Sequence, residues 1–313
     1  MIKINPVFLR GVKSRMRGVR APILISVYLG IVLGFFTLIY MSMTNNTYYG
    51  MNSRPLSIGS DMVENLYSIL SMILFAVIVL MVPSMNAGAI ASEREKQTLD
   101  LLLCSPLSAS KIVMGKIGSN MAFVTFLLVL VLPFFSILYL FGTVSILNFV
   151  ILILFLAVSA YACASVASFF SCLMKKTSVA TILSYVALLV FVIVTIIIGG
   201  ILQTKHWENL YASGQYQNTE AYMPFVWRIN PIMGLMEIAA EGASGTAGMF
   251  GSGINIMSSF MYSFNFGGYG MGMEYSGMRM YVSSALLMIG VSVILNIASA
   301  ALIKPVNKLS IRK

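Results

Sequence analysis

Long apolar stretches without charged residues alternate along the chain with shorter stretches in which the charges collect. An α-helix needs about 20 apolar residues to cross a bilayer. Residues 117–174 are free of charge and too long for one crossing, so we expect a break at Phe141-Gly142-Thr143. The pattern predicts an all-α integral membrane protein. Its six transmembrane helices are expected at residues 22–43, 66–90, 117–140, 146–170, 178–202 and 281–303.

The composition supports this class of protein. The 313 residues are 58% hydrophobic and only 10% charged, whereas soluble domains carry about 25% charged residues. A soluble fold could not bury so much apolar side chain. We therefore treat residues 1–313 as a single transmembrane domain that is embedded in the cell membrane.

The basic residues are unevenly divided between the two sides of the predicted membrane. The segments on the side of the termini hold 16 of the 20 Lys and Arg residues. Those segments are 1–20, 91–116, 171–177 and 304–313. Basic residues favour the cytoplasmic side, so both termini are expected to be cytoplasmic. The net charge of +10 then reflects flanks of membrane helices, and we expect no nucleic acid as a partner.

Residues 1–20 contain six basic residues and no acidic one. On a helix, the basic and apolar side chains separate onto opposite faces. The basic face has Arg10, Lys13, Arg17 and Arg20, and the apolar face has Phe8, Val12, Met16 and Val19. This pattern predicts a helix in the membrane interface. The alternative is a basic flank without a fixed helix.

A large external loop is predicted at residues 203–279, between the fifth and sixth spans. Asn230-Pro231 resembles a helix start, with Asn as N-cap and Pro in the first position. The resulting helix is too short to span the membrane, so it would lie at the outer interface or dip into the membrane.

The later part of this loop is rich in Gly, Ser and Met. Closely spaced thioethers can bind Cu(I). The candidates are Met271, Met273, Met278 and Met280. Methionine is also an adaptable apolar filler, and this second interpretation is favoured, so we expect no metal ion to be bound.

The chemistry missing from the predicted spans is also informative. They contain no Asp, Glu, Lys, Arg or His, which argues against ion-coupled carriers and intramembrane hydrolases. Gly115-Lys116 resembles the end of a phosphate-binding P-loop, but Ile117 follows where Ser or Thr is required. We therefore expect a chain that is not an enzyme and binds no cofactor. Active transport would need an ATPase on a separate chain.

The predicted cytoplasmic loop at residues 91–116 carries five charges within eight residues, from Glu93 to Asp100. Thr98 can cap a short helix, and Pro106 would end it. Between them, Leu99, Leu102 and Leu103 form an apolar edge. Such an edge suits insertion into a groove of a partner. The spacing alone equally permits packing against the protein's own membrane helices.

The loop sequence resembles the signature of ABC-2-type transporter permeases, whose pattern runs ERExGTLxxLLxxPxxxxxIxxGK. The matching positions are Glu93-Arg94-Glu95, Thr98-Leu99, Leu102-Leu103, Pro106, Ile112 and Gly115-Lys116. This chain has Gln97 where the pattern has Gly. The resemblance implies a coupling helix between spans 2 and 3 that docks on a separate ATP-binding subunit, which holds ATP and Mg²⁺. It also implies a second permease subunit, the same chain or a related one, and usually export.

The resemblance leads to a specific set of candidate coupling residues. They are Glu93, Arg94, Glu95, Thr98, Leu99, Leu102, Leu103 and Pro106, with Lys175 and Lys176 as a second cytoplasmic contact. The expected function is the permease subunit of an ATP-driven exporter. The alternative is a motor-free pore, or a membrane scaffold that displays the Gly/Met-rich external loop.

Overall fold

The structure is a computed structural model that describes residues 6–16, 20–49, 58–99, 109–140, 145–213, 224–243 and 279–303. Within these ranges the regular secondary structure is helical, which confirms the all-α prediction for this part of the chain. The helices are α1 (Pro6–Met16), α2 (Arg20–Tyr49), α3 (Ile58–Glu95), α4 (Ala109–Leu140), α5 (Ile146–Leu173), α6 (Thr177–Ser213), α7 (Phe225–Ile229), α8 (Pro231–Ala243) and α9 (Met280–Leu302).

Five helices of the described ranges are long and apolar enough to cross a membrane. They are α3, α4, α5, α6 and α9. Their outward faces remain strongly apolar, as Leu154, Ile182 and Ile294 show with exposed fractions of 61%, 62% and 66%. Such surfaces are suited to lipid rather than water. In α2 the described apolar stretch is the shorter Pro22–Leu38, so the sixth span remains a prediction.

Helix α5 lies at the centre of the bundle, where it packs against α3, α4, α6, α8 and α9. Its buried face is rich in small side chains, including Ala160, Ala164 and Ala167. Small residues let helix backbones approach closely, which is the main source of packing energy between helices in lipid. The adjacent α4 ends at Leu140 and α5 begins after Ser145, whose hydroxyl accepts a hydrogen bond from the Leu147 amide at 3.3 Å.

The predicted N-cap at Asn230 is confirmed. Its side-chain oxygen accepts a hydrogen bond from the Ile232 amide at 2.9 Å, directly after Pro231. Its amide group donates to Thr195 Oγ1 of α6, also at 2.9 Å. Helix α8 is buried between α3, α5 and α9. This short helix therefore packs inside the bundle, and its position relative to the membrane remains a prediction.

Helix α1 packs against the first half of α4. Gly11 lies so close to Ser119 that a Cβ there would approach the Ser119 hydroxyl to 2.5 Å, and Phe8 covers Gly118. Arg10 and Lys13 are exposed on the opposite side. Residues 6–16 are thus helical, with Phe8 towards α4 and with Arg10 and Lys13 exposed. The rest of the predicted basic and apolar faces, and the position of the helix in the membrane interface, remain predictions.

Neighbouring glycines of α6 give a test of the packing. A Cβ at Gly199 would collide with the indole ring of Trp227, which is 1% exposed. A Cβ at Gly200 would meet no atom within 4 Å. We expect Gly199→Ala to lower the free energy of unfolding by about 1–3 kcal/mol because of overpacking. Gly200→Ala should maintain or raise it, since Ala favours helix. Thermal unfolding in detergent measures both; equal Tm values would contradict the prediction.

Candidate functional site

The chain turns sharply at the end of α3. Gln97 has a φ of +57°, in the left-handed region. Its amide donates to the Arg94 carbonyl at 3.0 Å, and the Thr98 amide donates to the Glu93 carbonyl at 2.8 Å. These two hydrogen bonds, together with the left-handed conformation of Gln97, form a Schellman motif, which commonly ends a helix. Leu99 is already helical again, so the motif turns the chain directly into the next element.

This geometry explains the glycine in the family pattern at position 97. A left-handed residue with a Cβ is strained, and glycine avoids the strain. Gln97 adopts the same conformation with its side chain exposed. The departure from the family pattern therefore leaves the bend in place and adds a local conformational cost.

The Glu93 carboxylate joins three parts of the fold. Lys116 Nζ of α4 lies 3.0 Å from Glu93 Oε1, and the Thr98 hydroxyl donates to Glu93 Oε2 at 2.5 Å. Lys116 also donates to the carbonyl of Ala89. We call Glu93, Thr98 and Lys116 the Glu93 cluster. All three belong to the sequence signature, and together these three residues fix the end of α3 to α4.

Glu95 makes a separate connection to α6. Its Oε2 atom accepts hydrogen bonds from the Thr177 hydroxyl at 2.9 Å and from the Thr177 amide at 3.3 Å. Thr177 is the first residue of α6, and a carboxylate at a helix N-terminus is favoured by the unpaired amides and the helix dipole. The end of α3 is thereby linked to both α4 and α6.

We call the turn at residues 93–98, at the end of α3, the corner. Side chains from two neighbouring helices also bind the backbone of α3 just before it. The Ser171 hydroxyl of α5 accepts hydrogen bonds from the Ile90 and Ala91 amides at 2.9 and 3.0 Å. The Asn120 amide of α4 donates to the Met85 carbonyl at 3.1 Å and to the Asn86 side-chain oxygen at 2.8 Å. Side chains that bind backbone groups inside a helix are a recognised cause of local bending. This part of α3 therefore depends on α4 and α5 for its shape.

The carboxyl groups of Glu93 and Glu95 lie beyond the apolar part of α3, which ends near Ala91. Burial alone would raise the pKa of Glu93. The hydrogen bonds from Thr98 and Lys116 and the nearby lysine charges together have the larger, opposite effect, so the pKa lies below its ordinary value. Hydrogen bonds from Thr177 likewise lower the pKa of Glu95. Because these pKa values are lowered, the stabilisation exists above the unfolded-state pKa and is lost as the pH falls.

The candidate residues from the sequence occupy different environments. Glu93, Glu95 and Thr98 take part in the contacts above, and Arg94 is half-buried beside them. Leu99 is half-buried and packs against the main apolar core. Lys175 and Lys176 are exposed between α5 and α6. Leu102, Leu103 and Pro106 lie outside the described residues.

The methionine candidates are mostly outside the described residues as well. Met271, Met273 and Met278 belong to that group, and Met280 is the buried first residue of α9. The Cu(I) hypothesis therefore has no support from the described geometry.

The candidate residues from the sequence do not include Lys116, Asn120, Ser171 or Thr177, although all four contribute to the site. Lys116 is the last position of the signature, and this place marked it as a candidate. Ser171 lies in a charge-free segment among several other serines, and nothing in the sequence distinguishes it. Its role depends on α3 and α5 being neighbours.

A comparison with known protein families shows to which family the chain belongs. The model of the ABC-2 family transporter proteins matches residues 19–293, most of the chain. The chain belongs to the ABC-2 transporter family. It is a multi-pass membrane permease of the ABC-2 type, a family whose members generally work with an ATP-binding subunit. No curated protein matches the sequence significantly.

The left-handed conformation of Gln97 can be tested by substitution. We expect Gln97→Gly to raise the free energy of unfolding by about 1 kcal/mol, because glycine adopts this backbone conformation without a Cβ clash. Gln97→Val should lower it, since a β-branched residue is least tolerated there. The Tm of the permease in detergent measures both changes. A lower Tm for Gln97→Gly than for the unmodified permease would contradict the assignment.

The Glu93 cluster predicts coupled effects of two substitutions. Glu93→Gln should lower the free energy of unfolding by about 1 kcal/mol, because Lys116 loses its charged partner at a partly exposed site. Once Glu93→Gln is present, adding Lys116→Gln should cost less than Lys116→Gln alone. Glu95→Gln is the exposed comparison and should change Tm less. Additive losses for Glu93 and Lys116 would show that the two residues are not coupled.

Proposed function

We propose that this ABC-2 permease is the membrane subunit of an ATP-driven exporter. In this proposal a separate nucleotide-binding subunit binds ATP and Mg²⁺, and the segment that begins at Thr98 is the coupling helix that docks on it. The docking residues are the predicted set, with Leu99, Leu102 and Leu103 as the apolar edge. The permease sits in the cell membrane with both termini cytoplasmic, and it pairs with a second permease subunit.

The observation that carries the proposal is the attachment of the corner to several membrane helices at once. Thr98 precedes the proposed coupling helix and contacts Glu93 of α3, which in turn pairs with Lys116 of α4. Glu95 connects the same corner to α6. A displacement of the coupling helix would therefore act on α3, α4 and α6 together. This is the property that a mechanical connection between a motor and a membrane pathway requires.

Half-buried Leu99 fits the same role. It packs on the main core, so the start of the coupling helix is held against the bundle. The later leucines of the edge are then the ones expected to enter the groove of the partner. A rigid base with an apolar edge can transmit force, because packed elements shift as units and do not deform continuously.

The first test is co-purification of the permease with an ATP-hydrolysing subunit. Leu102→Arg together with Leu103→Arg should release the ATPase, since two charges would enter an apolar groove without partners. The matched control is Leu102→Met with Leu103→Met, which keeps the edge apolar and should retain the ATPase. Both variants should appear in the membrane fraction at equal levels.

The alternative function makes a different prediction in the same experiment. A motor-free pore or a scaffold displaying the external loop would purify without any ATPase, and the arginine substitutions would then change nothing. If the unmodified permease purifies without an ATPase from cells that express its neighbouring genes, the exporter proposal is wrong.

A further inference from the structure

The acidic side chains of the corner are occupied by the chain itself. Glu93 binds Lys116 and Thr98, and Glu95 binds Thr177. Neither carboxylate is therefore directed wholly towards a partner. The candidate coupling residues include acidic and basic side chains, and in the described structure the two acidic ones are held by contacts within the chain.

Three exposed lysines surround the corner: Lys96, Lys175 and Lys176. None of the three forms a salt bridge with another residue of the described ranges. We call these three residues the lysine rim. Glu95 keeps its negative charge, because Thr177 is a neutral donor. Three lysines beside this one exposed carboxylate still give the described surface at this corner a net positive charge.

The connection between Glu95 and Thr177 places the rim on one surface. Lys96 directly follows Glu95, and Lys176 directly precedes Thr177. Both lysine charges act on the Glu95 carboxylate, although they come from segments about 80 positions apart in the sequence. The rim therefore combines the two loops that the sequence predicted to lie on the cytoplasmic side.

We propose that the lysine rim binds an acidic surface on the ATP-hydrolysing subunit, beside the groove that receives the apolar edge. This inference rests on the proposed function and specifies its partner by charge. Complementary charges speed association and select the correct partner, and they do so less effectively at high salt. The apolar edge would form the buried contact with the subunit. The rim would orient the subunit as it binds and would make the binding sensitive to salt.

Anionic lipid headgroups are the competing partner for exposed lysines. Lys96 favours the protein partner, because it lies five residues beyond Ala91, about 7.5 Å past the apolar part of α3. It also lies two residues from Thr98, where the proposed coupling helix begins. A soluble subunit that reaches the helix would reach Lys96 as well.

The test measures binding of the co-purifying ATPase to the full permease in nanodiscs of neutral phosphatidylcholine. Raising the salt from about 0.05 M to about 0.5 M should weaken binding, because the Debye length falls severalfold. Lys175→Gln with Lys176→Gln should raise Kd about fivefold at low salt and reduce the salt dependence. Adding Lys96→Gln should extend both effects.

The matched control is Arg10→Gln with Lys13→Gln, which removes two exposed charges of α1 and should leave Kd and its salt dependence unchanged. Tight binding that is independent of salt, or a Lys175 and Lys176 variant with unchanged Kd, would overturn the lysine rim while leaving the exporter proposal intact. A salt effect that occurs only in nanodiscs with phosphatidylglycerol would assign the rim to lipid and also overturn it. The absence of any ATPase would overturn both proposals.

Discussion

The pairing of Glu93 with Lys116 is the contact on which the corner depends. It lies at 3.0 Å, partly shielded from water, and the same carboxylate receives the Thr98 hydroxyl. An exposed pair would contribute little because water screens it and side-chain entropy opposes it. This pair instead acts with a helix terminus and a second hydrogen bond, so that the backbone of α3 ends in one defined direction. The Schellman motif at Gln97 and the bond from Glu95 to Thr177 then fix that direction relative to the neighbouring helices.

The interior of the bundle follows a different rule from the corner. Within the described spans the contacts between helices rely on small residues and a few amides and hydroxyls. Asn296 of α9 donates to Tyr161 and Ser165 of α5 at 2.8 and 3.1 Å, and Asn230 donates to Thr195. In lipid the hydrophobic effect does not distinguish one apolar neighbour from another, so close packing and these polar contacts specify the arrangement. Charges are concentrated at the ends of helices, where water is accessible.

Much of the fold could be predicted from the sequence because hydrophobicity and length are local properties. The helical class, the break between α4 and α5, and the cap at Asn230 all have local signals. The ends of the helices have weaker local signals. Helix α3 continues to Glu95 and α4 begins at Ala109, beyond the predicted spans 66–90 and 117–140. A helix can extend past the membrane core as long as its backbone groups are hydrogen-bonded. The contact of Ser171 with the backbone of α3 depends on which helices are neighbours. Local periodicity carries no such information, and neither Ser171 nor Asn120 could be found from it.

The spacing of the corner contacts along the chain has a consequence for biogenesis. Thr98 can meet Glu93 as soon as this loop has been synthesised, but Lys116 follows 23 residues after Glu93, and Ser171 and Thr177 lie about 80 residues beyond α3. The corner therefore cannot be completed until α4 and α5 have been made and α6 has begun. A permease that stalls earlier in membrane insertion lacks the contacts that shape this surface. The order of synthesis thus delays completion of the proposed docking surface until most of the membrane helices have been made.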